Sequence, residues 1–226
     1  MTPPVIPSTL VHKIRQPGGA TAGVHPVLIL LHGRGTNEDD LLELADYLDP
    51  RFFVVSVRAP FSFEQGPGGY TWYDVQDVGI PHPKQFEESY NRLARFVLDV
   101  NQNYPVDPQR VFLLGFSMGS IMSLALSLTK PELIRGVVAH SGYIPENTSL
   151  QFAWDRLQNL SLFIAHGVND SVIPVHFGRR AQSLLSKTQA DLTYKEYPIP
   201  HSMSEQSVSD LAEWLREKLA ISAGIR

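Results

Sequence analysis

The sequence predicts an α/β fold: a doubly wound, mostly parallel sheet with helices on both faces. Strand-like and helix-like segments alternate along nearly all of the 226 residues. Several strands are continuous apolar runs, which is typical of strands buried on both faces. The chain shows no internal repeat, low-complexity tract or shift in composition, so we expect one domain over residues 1–226.

Residues 1–25 form an N-terminal extension in this prediction. Proline and glycine are frequent at both of its ends, and residues 10–15 between them are a candidate edge strand. The first ten residues lack a basic region followed by an apolar run, so they do not resemble a signal peptide. No stretch approaches the ~18–20 apolar residues of a membrane span. We therefore expect a cytoplasmic protein without integral membrane segments.

The first half of the domain begins with a buried strand at residues 27–31, followed by His32-Gly33-Arg34-Gly35. A helix is predicted over residues 38–48, because Thr36 or Asn37 can cap it and acidic residues fill its first turn. A second buried strand covers residues 52–57. The long loop at residues 58–83 includes a glycine-rich turn at residues 66–69, and loops of this length are usually functional or mobile.

The second half continues the alternation. Helices are predicted at residues 85–101, 120–130, 175–187 and 203–219, strands at 110–114, 134–139, 160–165 and 192–197, a turn at 106–108, and a short helix within 146–159.

Composition excludes several classes of function. The net charge of −4 gives no basic surface for nucleic acid or for an acidic membrane. The chain has no cysteine, which excludes disulfides, zinc–thiolate sites and a cysteine nucleophile. No His-x-x-x-His or His-Glu-x-x-His spacing occurs, so we do not expect a metal site.

The candidate nucleophile lies in the segment Gly115-Phe116-Ser117-Met118-Gly119. An apolar strand precedes this G-x-S-x-G pattern and a helix follows it, which is the context in which the pattern forms a sharp, strained turn. Such a turn presents the hydroxyl of Ser117 above the carboxyl edge of the sheet. The pattern alone also occurs by chance, so its interpretation depends on an acid and a histidine later in the chain.

A serine hydroxyl needs a base to activate it, and the base needs an acid to orient it. We favour His201, in a loop after the last strand, over His176, which lies at the start of a helix. Asp170 follows a strand directly, whereas Asp155 and Asp191 lie in or before other elements. Taken alone, Asp170 is equally compatible with a turn residue, but the order Ser117, Asp170, His201 is the one this fold requires.

Two backbone N–H groups are candidates for an oxyanion hole, those of Met118 and Arg34. The Arg34 side chain would then point to the mouth of the cleft, although an ordinary solvated arginine fits equally well. Trp72 and Tyr73 are candidates for the acyl pocket, and a packed aromatic pair is the equal alternative. His32 and His166 each precede a glycine after a strand, and we expect them to brace loops rather than to bind metal.

These segments together resemble the phospholipase/carboxylesterase family of α/β-hydrolases, which includes acyl-protein thioesterases and small bacterial carboxylesterases. The resemblance implies an α/β-hydrolase fold without a large cap domain, no cofactor, Ser117, His201 and Asp170 as the triad, and amides of Arg34 and Met118 in the oxyanion hole. We add Ile173 to the substrate-binding candidates. The resemblance covers residues 27–217 and is carried by His32–Gly35, Gly115–Ser120, His166–Asp170, Val172–Pro174 and Pro200–Met203, with a weaker match at Tyr73–Val75.

The expected function is a serine carboxylesterase that hydrolyses short- to medium-chain acyl esters through an acyl-enzyme on Ser117. Arg34 replaces the apolar residue usual in the family and weighs against long lipid-like acyl chains, while Met118 replaces a frequent glutamine. An acyl thioesterase, a lysophospholipase and a serine peptidase of the same fold are alternatives, as is a catalytically retired hydrolase that binds a small ligand. A small acyl ester is the expected partner, and the oligomeric state stays open, a homodimer included.

Overall fold

The computed structural model describes residues 5–19, 23–64 and 68–222. Its strands are β1 His12–Arg15, β2 His25–Leu31, β3 Phe53–Val57, β4 Phe61–Ser62, β5 Tyr70–Thr71, β6 Val75–Asp77, β7 Ile80–Pro81, β8 Val106–Phe116, β9 Gly136–His140, β10 Ser161–Gly167 and β11 Asp191–Tyr197. Its α-helices are α1 Pro83–Asn103, α2 Met118–Thr129, α3 His176–Leu185 and α4 Glu205–Ser222, and 3-10 turns cover Leu42–Asp46 and Pro131–Leu133. None of the helices of these residues is long and apolar enough to cross a bilayer.

A seven-stranded sheet carries the site. Its strand order is β1-β3-β2-β8-β9-β10-β11. Strand β1 pairs antiparallel with β3 at one edge, and every other pairing in the sheet is parallel. The carboxyl ends of β2, β8, β9, β10 and β11 therefore open on the same edge, where sites of open α/β sheets lie.

The sheet separates two apolar cores, because successive side chains of a strand point to opposite faces. In β2, Val27, Ile29 and Leu31 belong to the core under α1, α2 and α3. Leu28 and Leu30 of the same strand belong to the core under α4. Helices thus cover both faces, and the predicted doubly wound α/β fold is confirmed.

The turn from β8 into α2 has no room for side chains at its two glycines. A Cβ on Gly115 would collide with the backbone of Gly119, and a Cβ on Gly119 would collide with the backbone of Leu31. Between them, Ser117 has φ 55° and ψ −120°, a conformation that costs a non-glycine residue about 1–3 kcal/mol. The strand, strained turn and helix predicted from G-x-S-x-G are therefore present.

The prediction of a helix over residues 38–48 is wrong. That segment forms turns and the 3-10 turn Leu42–Asp46. The Glu38 carboxylate accepts two hydrogen bonds from Arg58, at 2.6 and 2.5 Å. Thr36, which the prediction made a cap, instead pairs through its backbone with Tyr70. These tertiary contacts override the capping pattern.

Three further predictions differ from the structure. Residues 106–108 are the start of β8 and not a turn, and residues 146–159 contain no helix, since Ala153 N–H donates to the Leu128 carbonyl of α2 at 2.7 Å. The loop at 58–83 contains two small hairpins, β4–β5 and β6–β7. Parts of the predicted turn at 66–69 and of the loop at 16–23, and the first four residues, lie outside the described residues.

Substitution Gly119→Ala tests the packing of the turn. We expect it to lower the free energy of unfolding by about 2–4 kcal/mol, because the added Cβ must displace the backbone of β2. Chemical denaturation measures this loss. Gly19→Ala is the control, since Gly19 has a positive φ but no heavy atom near its Cβ position; equal losses in the two variants would contradict the close approach.

Candidate active site

The structure brings Ser117, His201 and Asp170 into one hydrogen-bonded line. His201 Nε2 lies 2.9 Å from Ser117 Oγ, and His201 Nδ1 lies 2.7 Å from Asp170 Oδ2. With its proton on Nδ1, the imidazole donates to the carboxylate and accepts the serine O–H. This is the arrangement in which a histidine can withdraw the proton of a serine hydroxyl.

Asp170 is fixed by the turn that follows β10. Its Oδ1 accepts backbone N–H groups of Val172 and Ile173 at 2.9 and 2.8 Å, which leaves Oδ2 for His201. The side chain is buried. The structure is therefore compatible with both the turn-residue and the acid interpretation, each through a different carboxylate oxygen.

His201 comes from the loop after β11 and keeps 16% of its side chain exposed. The ring of Phe116, the residue before Ser117, lies 5.0 Å from the imidazole ring. Ser117 N–H donates to the carbonyl of His140 at 3.0 Å, which ties the elbow to the end of β9. His176, the rejected alternative base, is the first residue of α3 and stacks on Phe177.

The loop from His32 to Thr36, here called the oxyanion loop, runs directly beside the nucleophile. A Cβ on Gly33 would lie 3.4 Å from the Cβ of Ser117. His32 Nδ1 donates to the Gly33 carbonyl at 2.6 Å, while its Nε2 accepts the N–H of Ala59 at 3.0 Å. Burial lowers the pKa of His32, so the ring is a neutral brace, as expected from the sequence.

Two N–H groups beside Ser117 are free within the part of the chain that the structure describes. They are those of Arg34, in the oxyanion loop, and Met118, the first residue of α2. The first N–H groups of a helix have no partner inside the helix. Both donors are on backbone that is held from several sides, so they are available to an oxygen with developing negative charge.

A cavity of about 140 Å³ adjoins Ser117. Its volume is below the ~300–1,000 Å³ of clefts that bind drug-sized ligands. Its lining residues are Arg34, Tyr73, Val75, Val78, Ser117, Met118, Ile121, Tyr143, Val172 and Ile173.

Tyr73 and Ile173 are thus at the cavity, while Trp72 is not among the residues that line it. Trp72 is fully buried behind the oxyanion loop, where its Nε1 donates to the His32 carbonyl at 2.9 Å. Trp72 is therefore a packed aromatic side chain and not a residue of the acyl pocket. Its indole holds the loop that carries Arg34, so it supports the site from behind.

Two buried histidines lie behind the triad. Burial lowers the pKa of His140 to about 3, helped by the neighbouring His166 and His201, and His140 stacks on Tyr197. Burial likewise lowers the pKa of His166, whose Nε2 donates to the Ile173 carbonyl at 2.7 Å. His166 therefore braces the turn of Asp170, as expected, and both rings are neutral near pH 7.

The sequence interpretation missed Tyr143, Val75 and Val78 as cavity residues. Tyr143 follows β9 by three residues, so its position past a strand end was an available signal. Val75 and Val78 belong to the β6–β7 hairpin. The sequence carries no signal for where that hairpin packs.

Fold and site together define a serine hydrolase of the α/β-hydrolase class. A family model described as Phospholipase/Carboxylesterase matches residues 19–219. The chain belongs to this family, and the family resemblance of the motifs is confirmed.

Relatives of similar length support the same class. Acyl-protein thioesterase 1 of Candida albicans is 26% identical, over 91% of this chain and 97% of its own. The same-named protein of Cryptococcus neoformans is 27% identical, over 95% of this chain and 100% of its own. The chain is therefore a hydrolase of the carboxylesterase and acyl-protein thioesterase type.

Solved structures give the same fold. A carboxylesterase of Bacillus cereus superposes with a TM-score of 0.80 at 25% identity, covering 92% of this chain and 94% of its own. A carboxylesterase of Mesorhizobium loti, at 20% identity, has a TM-score of 0.81 and covers 95% and 98%.

His140 is predicted to make the protein less stable in acid. Its pKa is near 3 when folded and 6.5 when exposed, so between these values the unfolded chain binds the extra proton. The contribution of neutral His140 to the free energy of unfolding is fully present above pH 6.5. It is lost as the pH falls, by up to about 1.4 kcal/mol per pH unit. Urea unfolding of the wild type and His140→Leu from pH 4.5 to 7.5 measures this.

The difference in unfolding free energy between the two proteins should change in favour of His140→Leu as the pH falls below about 6. Titrating groups that do not interact with His140 are common to both proteins and cancel in the difference. A difference that stays constant across the range would show that His140 is not held neutral in the folded state.

Proposed function

We propose that the protein is a serine carboxylesterase that hydrolyses short- to medium-chain acyl esters through an acyl-enzyme on Ser117. The observation that carries this proposal is the hydrogen-bonded line from Asp170 through His201 to Ser117. This line lies at the strained turn of Ser117. It adjoins the backbone N–H groups of Arg34 and Met118, which have no partner among the residues that the structure describes.

In the first half of the reaction, Ser117 Oγ attacks the ester carbonyl carbon while His201 Nε2 takes the hydroxyl proton. Asp170 holds the Nδ1–H tautomer and stabilises the imidazolium. The carbonyl oxygen gains negative charge and accepts hydrogen bonds from the N–H groups of Arg34 and Met118. His201 then protonates the leaving alcohol, and the acyl group stays on Ser117.

In the second half, water replaces the alcohol. His201 takes a proton from the water, and the resulting hydroxide attacks the acyl carbon. The same two backbone donors hold the second oxyanion. The carboxylic acid leaves as the proton returns to Ser117, and the starting state is restored without any cofactor.

The cavity supports short acyl groups. Its volume of about 140 Å³ is well below that of clefts that bind drug-sized ligands. A short acyl chain fits such a space, and a longer chain must extend out of it through the mouth. Arg34 lies at that mouth and its side chain is exposed, which disfavours an aliphatic chain there.

An acyl thioesterase is the second candidate, because the fungal relatives carry that name. The same triad chemistry cleaves a thioester, since the sulfur is the leaving atom in place of oxygen. A lysophospholipase is less well supported, because the cavity is small for a fatty acyl chain. A catalytically retired hydrolase is also less well supported, because the strained backbone of Ser117 costs free energy and would have no catalytic role in such a protein.

A panel of p-nitrophenyl esters and matched acyl thioesters, with chains of 2 to 16 carbons, tests the proposal. We expect kcat/KM to be highest among the short and medium chains and to fall for chains of 12 to 16 carbons. Ser117→Ala should lose activity by several orders of magnitude while its circular dichroism is unchanged.

Ser183→Ala is the matched control, since Ser183 is exposed on α3. A fluorophosphonate should label the wild type and this control but not Ser117→Ala. Highest rates on 12- to 16-carbon chains would contradict the assigned acyl length, and full activity of Ser117→Ala would contradict the mechanism.

Asp170→Asn separates the two roles of the carboxylate. The retained Oδ1 can still accept the N–H groups of Val172 and Ile173, while the new NH₂ faces His201 and favours the wrong tautomer. We expect kcat to fall about 10⁴-fold with little change in melting temperature. Steady-state kinetics and thermal unfolding check this, and a loss below tenfold would exclude Asp170 as the orienting acid.

A further inference from the structure

A second cavity lies next to the one that adjoins Ser117. Its volume is about 340 Å³, compared with about 140 Å³ for the cavity at the nucleophile. The two cavities share the lining residue Tyr143. They also meet at the turn of the β6–β7 hairpin, where Val78 lines the first cavity and the next residue, Gly79, lines the second. Tyr143 and this turn therefore lie between the two cavities.

The side chain of Tyr143 reaches from the segment after β9 to the turn of that hairpin. Its hydroxyl accepts the N–H of Gly79 at 3.2 Å and is hydrogen-bonded to the hydroxyl of Tyr73. The ring of Phe177, which lines the second cavity, lies 5.2 Å from the ring of Tyr143. The Tyr143 ring is thus held by hydrogen bonds at its hydroxyl and by an aromatic contact, and it forms a fixed partition between the cavities.

The second cavity offers apolar surface next to this partition. Ile144, the residue after Tyr143, and Phe177 both line it. Its charged lining residues, Glu146 and Arg180, pair with each other through two hydrogen bonds at 3.1 and 2.9 Å. Because these charges neutralise each other, an aliphatic chain in the cavity does not strip water from an unpaired charge. The space is therefore suited to methylene groups, which gain free energy when they leave water.

We propose that Tyr143 sets the upper limit of acyl chain length, because its ring closes the acyl pocket beside Ser117 against the larger second cavity. This rests on the proposed esterase function and names the residue that restricts its substrate class to short acyl chains. Without the ring, the two cavities join and a longer chain continues toward Phe177. Tyr143 is a specificity residue, since it contacts the acyl chain and not the reacting atoms.

Substitution Tyr143→Ala tests the partition. The measured quantity is the ratio of kcat/KM for p-nitrophenyl decanoate to kcat/KM for p-nitrophenyl butanoate. Each methylene that enters the joined cavity should raise kcat/KM about fourfold, so we expect this ratio to rise about tenfold or more. The two rates come from one preparation, so their ratio does not depend on the fraction of the variant that is folded. Tyr143→Leu, a smaller change, should shift the ratio in the same direction.

Three further variants separate the partition from a general loss of stability. Tyr143→Phe keeps the ring and removes the hydroxyl, so it should melt lower but keep the wild-type ratio. Tyr90→Ala removes a buried tyrosine whose hydroxyl bonds Thr129 away from both cavities, and it should also melt lower without a change in the ratio. Phe177→Trp in the Tyr143→Ala background refills the second cavity, so it should cancel the gain on the decanoyl ester.

The outcomes distinguish this proposal from the function on which it rests. An unchanged ratio in both Tyr143→Ala and Tyr143→Leu, or an equal rise in Tyr143→Phe or Tyr90→Ala, would overturn the role of the ring and leave the esterase function standing. A gain that persists after Phe177→Trp would show that the longer chain takes another route, which would also overturn the proposal. Absence of hydrolysis of either ester by the wild type would instead reject the esterase function.

Discussion

The contact between α2 and the backbone of β2 is the constraint on which the rest of the site depends. Gly119 allows the helix to approach Leu31 closely, and that approach fixes where the helix begins. Ser117 must then take a strained conformation to join β8 to α2. The same approach brings the end of β2, with its oxyanion loop, beside the serine. One packing contact therefore sets both the nucleophile and the donors that face it.

The charged and polar parts of the site are held from outside the catalytic residues. Trp72 and His32 fix the oxyanion loop through hydrogen bonds to and from backbone, and the N–H groups of Val172 and Ile173 fix the Asp170 carboxylate. Such preorganisation matters because dipoles already aimed at the reacting atoms need not reorient during the reaction. Burial also keeps His140 and His166 neutral, so neither adds a positive charge that would compete with His201 for Asp170.

The sequence was sufficient for the fold and for the residues that the structure brings together at Ser117, because each follows a strand and parallel strands end at one edge. It was insufficient where contacts between residues far apart in the chain determine the local structure. The capping pattern at residues 36–48 predicts a helix, but Arg58 binds Glu38 from twenty residues later in the chain. Trp72 packs behind the oxyanion loop and Tyr73 lines the cavity, although the two residues are neighbours in the chain. Which of them lines the cavity depends on the packing of the hairpins around them.

In the proposed mechanism, the oxyanion donors are main-chain N–H groups. The identity of residue 34 can therefore vary without removing a donor, provided that the glycines on either side keep the loop in place. The side chain of residue 34 at the rim of the cleft and the backbone N–H of the same residue can thus be considered separately. A substitution at residue 34 can therefore change the charge at the entrance of the cavity while the two backbone N–H groups keep their positions.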